Sequence, residues 1–281
     1  MADKLRELQR CILDIALEFQ RICEKNGLRY FLTYGTLLGA VRHQGFIPWD
    51  DDMDVGMPRE DYEKFLQIAP SELGEDFFLQ TGQTDPAYAF GSAKIRLNGT
   101  ALMEDYAVNS KQHNGIFLDI FPFDVMPKRS WQQWLHFRAA KCVKWAALGK
   151  TDYAFIKPKR RKFAKLMSAA FFFLRKDGAL KLAEKLRRLY ERRPTGRYVD
   201  TEWYQSVITD EDLQQTRTLP FEGYEFRVPL RTEQMLTEIY GDYMKLPPVE
   251  ERGIQHDVVL TDIGEYVIKN NASKERQEVY G

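Results

Sequence analysis

Tyr34-Gly35-Thr36-Leu37-Leu38-Gly39-Ala40-Val41-Arg42, followed by Ile47-Pro48-Trp49-Asp50-Asp51-Asp52-Met53-Asp54-Val55, decides how this chain folds. The stretch before it, Leu28 to Tyr34, is aromatic and β-favouring, so it predicts a strand. Gly35-Thr36 then opens a short helix that runs to Arg42. Beyond the Pro48-Trp49 turn, residues 51–57 alternate acid and apolar, which predicts a strand with Asp52 and Asp54 on one face. Pro58 suits the first position of a following helix, Arg59 to Ile68. Strand, Gly-Thr helix and acid-pair strand in this order point helix amides at a phosphate and put carboxylates beside it.

Asp50, Asp51, Asp52 and Asp54 crowd four carboxylates into five residues, and their repulsion destabilises the fold unless cations or partners offset it. Hard oxygen donors select Mg²⁺, Mn²⁺ or Ca²⁺ over zinc. A solvated acidic turn is the plain alternative, opposed by Met53, Val55 and Met57, which favour burial. An EF-hand loop counted from Asp50 would need glycine where Val55 stands, so that reading fails. Asp52-Met53-Asp54 also has the form of a glycosyltransferase Asp-x-Asp, yet only one strand is predicted ahead of it. A nucleotidyltransferase-like palm fits the order of elements. Such a site calls for another carboxylate from the sheet, and Asp119, inside the apolar run Gly115-Ile116-Phe117-Leu118-Asp119-Ile120-Phe121, is costly to bury without a cation partner. The competing role for Asp119 is a strand-end cap, and Asp124 is the spare acid.

Outward from this centre, Leu5, Leu8, Ile12, Ile15, Phe19 and Ile22 mark one face of a helix that Asn26-Gly27 ends. Further strands are expected at Phe77 to Gln80, Phe90 to Leu97 and Gly115 to Phe121. From Trp131 to about Arg193 the pattern is helical, aromatic and basic, and the tail carries a strand at YEFRVP and a helix from Arg231 to Tyr240. The expected fold class is therefore α/β (α+β), a mixed sheet flanked by helices with a mainly helical C-terminal half. The expected boundary lies near residue 128, with a catalytic core at 1–128 and a helical, basic region at 129–281 that completes the site or continues the same domain.

The 281 residues carry 41 basic and 41 acidic side chains, a net charge of zero. That sum hides an asymmetry: Lys157 to Arg193 holds 14 Lys or Arg against 3 acids, leaving 27 against 38 elsewhere. Lys157-Pro158-Lys159-Arg160-Arg161-Lys162 precedes the apolar run Leu166 to Leu174, a combination that suits an interfacial helix on anionic lipid or a core helix under a solvated face. Nucleic acid ranks below both, because no recognised module for it is present. Cys11, Cys23 and Cys142 are too few for a disulfide framework, and no run approaches the roughly 18 apolar residues of a spanning helix. A cytoplasmic protein, peripheral on the inner membrane face, is the expectation.

Together with the two opening blocks, Lys94-Ile95-Arg96, Gly115 to Asp124, Phe221-Glu222-Gly223 and Tyr240-Gly241-Asp242-Tyr243-Met244 resemble the LicD phosphocholine-transferase family, relatives of the fukutin-type phospho-alcohol transferases. The resemblance runs from residue 34 to about residue 256, and its specific block is Trp49-Asp50-Asp51-Asp52-Met53-Asp54. It implies a nucleotidyltransferase-like fold and the transfer of a phospho-alcohol, foremost phosphocholine from CDP-choline, with release of CMP. The implied acceptor is a hydroxyl of a cell-surface glycan such as lipopolysaccharide or a teichoic acid precursor. It points to Asp52, Asp54 and Asp119 as ligands of Mg²⁺ (or Mn²⁺). This chain departs from the family's pattern at Leu97, where an acid often stands, and at His256-Asp257, where paired histidines often stand.

On this reading Gly35 and Thr36 offer amides and a hydroxyl to phosphate, and Arg42, Lys94 and Arg96 neutralise it. Arg42 fits a solvated helix end equally well. His256 is a further substrate-binding candidate, and His43 and His113 are candidate acids, bases or phosphate donors. A quaternary ammonium would seek aromatic faces, which Tyr88, Phe90, Tyr106, Trp131, Trp134, Trp145 and Tyr153 could supply. The enzyme alternatives are a nucleotidyltransferase or a nucleotide-sugar glycosyltransferase on the same metal site, and the non-enzyme alternative is a cation-binding adaptor.

Overall fold

Residues 2–154, 158–253 and 258–269 are described by a computed structural model of the chain. The first helix, α1 (Ala2–Lys25), buries Leu8, Ile12, Ile15, Phe19 and Ile22, the stripe that the three- and four-residue spacing predicts. The chain continues through β1 (Phe31–Leu32), α2 (Tyr34–His43), β2 (Asp54–Pro58), α3 (Arg59–Glu72), β3 (Phe77–Gln80), β4 (Ala93–Leu97), β5 (Ala101–Glu104) and β6 (Phe117–Val125). Three helices follow, α4 (Ser130–Leu148), α5 (Pro158–Ala170) and α6 (Lys176–Arg187). The chain then returns to the sheet as β7 (Arg197–Asp200), β8 (Val207–Thr209) and α7 (Asp210–Gln214), and ends with the hairpin β9 (Arg217–Phe221) and β10 (Tyr224–Val228), α8 (Thr232–Tyr240) and β11 (Val258–Asp262).

The main sheet is mixed, as expected, with order β1-β2-β6-β4-β3 and with β7 and β8 attached to β6 in turn. Among the described residues only β2 and β6 pair in parallel, from Asp54 opposite Asp119 to Pro58 opposite Phe123. β6 organises the rest. Its first residues pair antiparallel with β4 and its last with β7, and eight of its nine residues are buried. Such a strand reads as a continuous apolar run because both faces are covered.

The acid run is strand only from Asp54 onward. Asp50 to Met53 precede the first ladder pair, Asp54 with Asp119, and lie outside the strand, although the Met53 carbonyl accepts from the Asp119 amide at 3.0 Å. Asp52 and Asp54 are therefore a loop acid and a strand acid, rather than two residues of one strand face. The strand expected over 28–34 shrinks to two residues, and the β5–β11 pair, formed by segments 154 residues apart at Glu104 and Val258, was invisible to local patterning.

α4 packs against both α5 and α6. Small residues let α4 and α6 approach, with Val143 and Ala147 buried against Ala179 and Ala183. Residue 128 falls just before α4, but the main core takes residues from both sides of it: Ile208, Phe221, Phe226, Val228, Met235 and Leu236 pack with α1 and the strands. Among the described residues no helix is long and apolar enough to cross a membrane.

Candidate active site

The register of three strands sets the centre of the site. Asp119 on β6 is the ladder partner of Asp54 on β2 and of Lys94 on β4, so the three side chains project from the same sheet face in one row. Lys94 Nζ donates to Asp119 Oδ2 at 2.8 Å and lies 3.3 Å from the ring centroid of Phe117. Burial pushes the Asp119 carboxyl up, and the Lys94 ammonium opposes that shift. An acid in an apolar strand is thus tolerated by one buried cation at its side.

Next to this row lies the acidic loop. The carboxylate oxygens of Asp50, Asp51 and Asp52 come within 4.8 Å of one another, the one group of metal-ligating side chains of this kind among the described residues. Local contacts hold the loop in shape. Gln9 of α1 donates to the carbonyl of Asp50 at 2.9 Å, and the Asp54 amide donates to Thr36 Oγ1 at 2.8 Å. The start of α2 presses close: a Cβ on Gly35 would stand 3.1 Å from Asp50 Oδ2. Carboxylates at a helix N-terminus gain from its dipole, which offsets part of their repulsion. Burial and then the charges of Asp54, Asp50 and Asp52 raise the Tyr240 phenol well above its ordinary value, which brings the end of α8 to the same loop.

A hairpin and a helix brace the loop from behind. Glu222 and Gly223 form the two-residue turn between β9 and β10, both with positive φ (54° and 85°), as a type I′ hairpin turn demands. The Glu222 side chain is buried, ion-paired with Arg6, and accepts from the Phe46 amide at 3.1 Å. No room exists for a larger residue at Gly45, where a Cβ would strike Glu222. Gln9, Arg6 and Glu222 were not candidates in the sequence; Glu222 carried a faint signal in its Phe-Glu-Gly block, and the two helix residues carried none.

A cavity of about 720 Å³ opens over the Asp119 end of the row. Lys94, Asp119 and Phe121 form its sheet side, and Lys141, Lys144 and Trp145 of α4 face them. One wall is aromatic: Phe90 meets Tyr106 at 5.2 Å and Tyr88 at 5.5 Å between ring centroids, and Glu104, which accepts from the Tyr106 hydroxyl at 2.6 Å, adds a carboxylate. Opposite, Glu202 is clamped by Lys144 at 2.7 Å and Arg187 at 2.9 Å. Carboxylates, ammonium groups and aromatic faces converge here on a space large enough for a small organic phosphate ester.

Residues 27–167 match the family model described as LicD/FKTN/FKRP, nucleotidyltransferase domain. The lipopolysaccharide cholinephosphotransferase LicD of Haemophilus influenzae is 30% identical over 276 residues, covering 90% of this chain and 96% of that protein. The chain belongs to the LicD family. Other LicD-related matches are shorter: the mouse ribitol 5-phosphate transferase FKRP is 30% identical over 126 residues, 43% of this chain and 23% of that protein. The yeast mannosyltransferase regulator 4 is 27% identical over 123 residues, 41% of this chain and 10% of its own length.

Within this LicD-family chain the candidate residues fall into distinct places. Asp52 belongs to the loop cluster, Asp54 and Asp119 to the ladder row, and Lys94 joins that row to the cavity. Gly35 and Thr36 lie against the acidic loop, the Thr36 hydroxyl holding the Asp54 backbone. Arg42, at the far end of α2, donates to the Tyr243 carbonyl at 2.9 Å and to His43. Arg96 lies inside the protein, fully buried, donating to Gln80 at 2.7 Å and to the Gly115 carbonyl at 2.7 Å. It ties β3 and β4 to the approach of β6 and does not line the cavity. The spare acid, Asp124, is held by both ends of the Arg59 guanidinium at 2.7 and 2.8 Å. His113 stacks on Phe78, and burial lowers its pKa. His256 lies outside the described residues.

Carboxylate oxygens are the donor set that Mg²⁺ or Mn²⁺ takes, so the chemistry of Asp50, Asp51 and Asp52 fits such an ion.

Proposed function

We propose that this chain transfers a phospho-alcohol, foremost phosphocholine from CDP-choline, to a hydroxyl of a cell-surface glycan such as lipopolysaccharide or a teichoic acid precursor, releasing CMP. The observation that carries this reading is the juxtaposition of the Asp54-Asp119-Lys94 row with the aromatic cavity. The name of the Haemophilus relative, a lipopolysaccharide cholinephosphotransferase, supports the choice of alcohol and acceptor.

In this scheme the acceptor oxygen forms a bond to the phosphorus that bears the alcohol, and the bond from that phosphorus to the bridging diphosphate oxygen breaks. The electron pair leaves with CMP, and the hydroxyl proton passes to a carboxylate of the site. Mg²⁺ held by Asp52, Asp54 and Asp119, with Asp50 and Asp51 beside them, would supply charge stabilisation to the diphosphate. Lys94 donates to Asp119, favouring its charged form against burial, and offers its remaining protons to a phosphoryl oxygen. Phe90, Tyr106 and Tyr88 present ring faces, with Glu104 behind them, to a trimethylammonium group.

The test is direct: purified protein with Mg²⁺ and a glycan acceptor is given CDP-choline, CDP-ribitol, UDP-sugars or nucleoside triphosphates, and the released nucleotide is resolved by chromatography. CMP from CDP-choline is expected. UMP or UDP from the sugars, or pyrophosphate from the triphosphates, would replace this reading with a glycosyltransferase or a nucleotidyltransferase, and metal binding with every donor intact would leave only a cation-binding protein.

A further inference from the structure

The helices above the cavity expose an outer surface to which the transfer reaction assigns no role. α5 buries one residue, Ala164, against the α4 side, where Gly149 leaves space for its backbone. Its other faces point outward, with Lys159, Arg160, Arg161, Lys162 and Lys165 all exposed. Large apolar side chains stand among these cations: Leu166 is 61% exposed, and just past the helix Phe172 is 80% and Phe173 66% exposed. Lys162, Leu166 and Ala169 follow the helical spacing of one stripe.

Between α4 and α5 lies a second, adjoining cleft of about 390 Å³. Arg138, Lys141, Lys159 and Arg160 surround it, Trp145 and Phe163 form its apolar floor, and no acid lines it. None of the four cations is ion-paired among the described residues, whereas the cations deeper in the fold, Arg59, Lys94, Lys144 and Arg187, each hold a carboxylate. Unneutralised guanidinium and ammonium groups over an aromatic floor are a receptor for a phosphate that carries an apolar body.

We propose that α5 and the α4–α5 cleft form a docking face for an anionic phospholipid bilayer, the cleft taking a lipid phosphate while Leu166, Phe172 and Phe173 enter the interface. Charge complementarity selects this occupant: exposed cations attract an anionic headgroup layer, and exposed Phe and Leu gain only where an apolar phase lies beneath it. A nucleic acid would satisfy the cations and leave the phenylalanines in water. The cleft shares Lys141, Trp145 and Arg160 with the catalytic cavity, so docking sets that cavity at the bilayer surface. Resting on the proposed function, this geometry makes the acceptor a lipid-borne glycan precursor. The docking itself is independent of that function.

Vesicle flotation of the full chain tests the docking without any donor, so failure of CDP-choline turnover leaves the result intact. Vesicles of phosphatidylcholine mixed with phosphatidylglycerol should capture the protein, and vesicles of phosphatidylcholine alone should not. Capture should fall as salt is raised, because exposed charges are screened. K159E, K162E and K165E should each weaken capture about fivefold. Phe172→Ser and Phe173→Ser should each weaken it about tenfold, with the thermal unfolding midpoint unchanged since both side chains are exposed. No capture by the anionic vesicles, equal capture by both kinds, full capture by the variants, or binding of inorganic phosphate or duplex DNA without vesicle binding would each overturn the proposal.

Discussion

Lys94 and Asp119 face each other across β4 and β6, ammonium to carboxylate at 2.8 Å, and both are buried. Each needs the other. Lys94→Met leaves the carboxylate without its counter-charge and should destabilise the fold by about 3–5 kcal/mol, the usual cost of removing one partner of a buried pair. Urea unfolding measures it, and a loss below 1 kcal/mol would show the pair to be hydrated and unimportant. The variant should also release no CMP from CDP-choline.

Asp52→Asn and Asp54→Asn should abolish transfer while the far-ultraviolet circular dichroism stays native. In the unsubstituted protein, Mg²⁺ at a hundredfold excess over its dissociation constant should raise stability by about 2.7 kcal/mol, and chelation should remove that gain. Asp52→Asn should shrink it, since the ion binds less tightly when one of three clustered carboxylates is gone. Undiminished turnover in either variant would sink the metal role.

Thr36 acts through Asp54. Its hydroxyl oxygen accepts the Asp54 amide at 2.8 Å, so Thr36→Val strands that amide and should cost about 1–3 kcal/mol. Thr36→Ser keeps the oxygen and should restore both stability and turnover. Equal defects in the two variants would mean that the methyl group, rather than the hydroxyl, matters.

Asp200 makes stability depend on pH. Burial and then the neighbouring Glu202 push its carboxyl from 3.8 up to about 6, although it accepts the Tyr34 hydroxyl at 2.8 Å. A raised folded pKa stabilises the native state at low pH, and that contribution disappears as the pH climbs from about 4 through 6. Asp200→Asn cannot ionise, so its stability relative to the unsubstituted protein should increase between pH 4 and pH 7. Paired urea titrations across that range check the sign. Glu202, whose pKa is lowered by Lys144 and Arg187 against its burial, loses a neighbouring negative charge in Asp200→Asn, which acts in the same direction, so the measured difference belongs to the Asp200–Glu202 pair.

Phe90 tests the alcohol. Phe90→Ala removes the ring that touches both Tyr88 and Tyr106 and should cut kcat/KM for CDP-choline about tenfold. CDP-ribitol, which carries no cation, should lose much less. A uniform loss on both donors would make Phe90 a packing residue.

Local signals in the chain carried the helices, the approximate strands and the acid run, because amphipathic spacing, an Asn-Gly stop and a cluster of like charges each act over a few residues. They also singled out Asp119, since a charge in the apolar run Gly115 to Phe121 stands out without any knowledge of its surroundings. Partners were a different matter. Nothing within ten residues of Lys94 or Arg96 tells that the first meets Asp119 and lines a cavity while the second is locked to Gln80 and Gly115 inside the core. Nor did the chain tell that Asp124, the spare acid, is held by Arg59, 65 residues away.

Residue order alone determined that four acids lie together, that a helix beginning Gly-Thr precedes them, and that positive charge concentrates after residue 157. Tertiary structure decided which acids share a row, by matching Asp54 to Asp119 and Asp119 to Lys94, and which helices roof the cavity beside them. The division is physical: periodicity and charge are properties of neighbours along the chain, whereas register and burial arise from contacts between distant segments, whose identity only the folded packing can set.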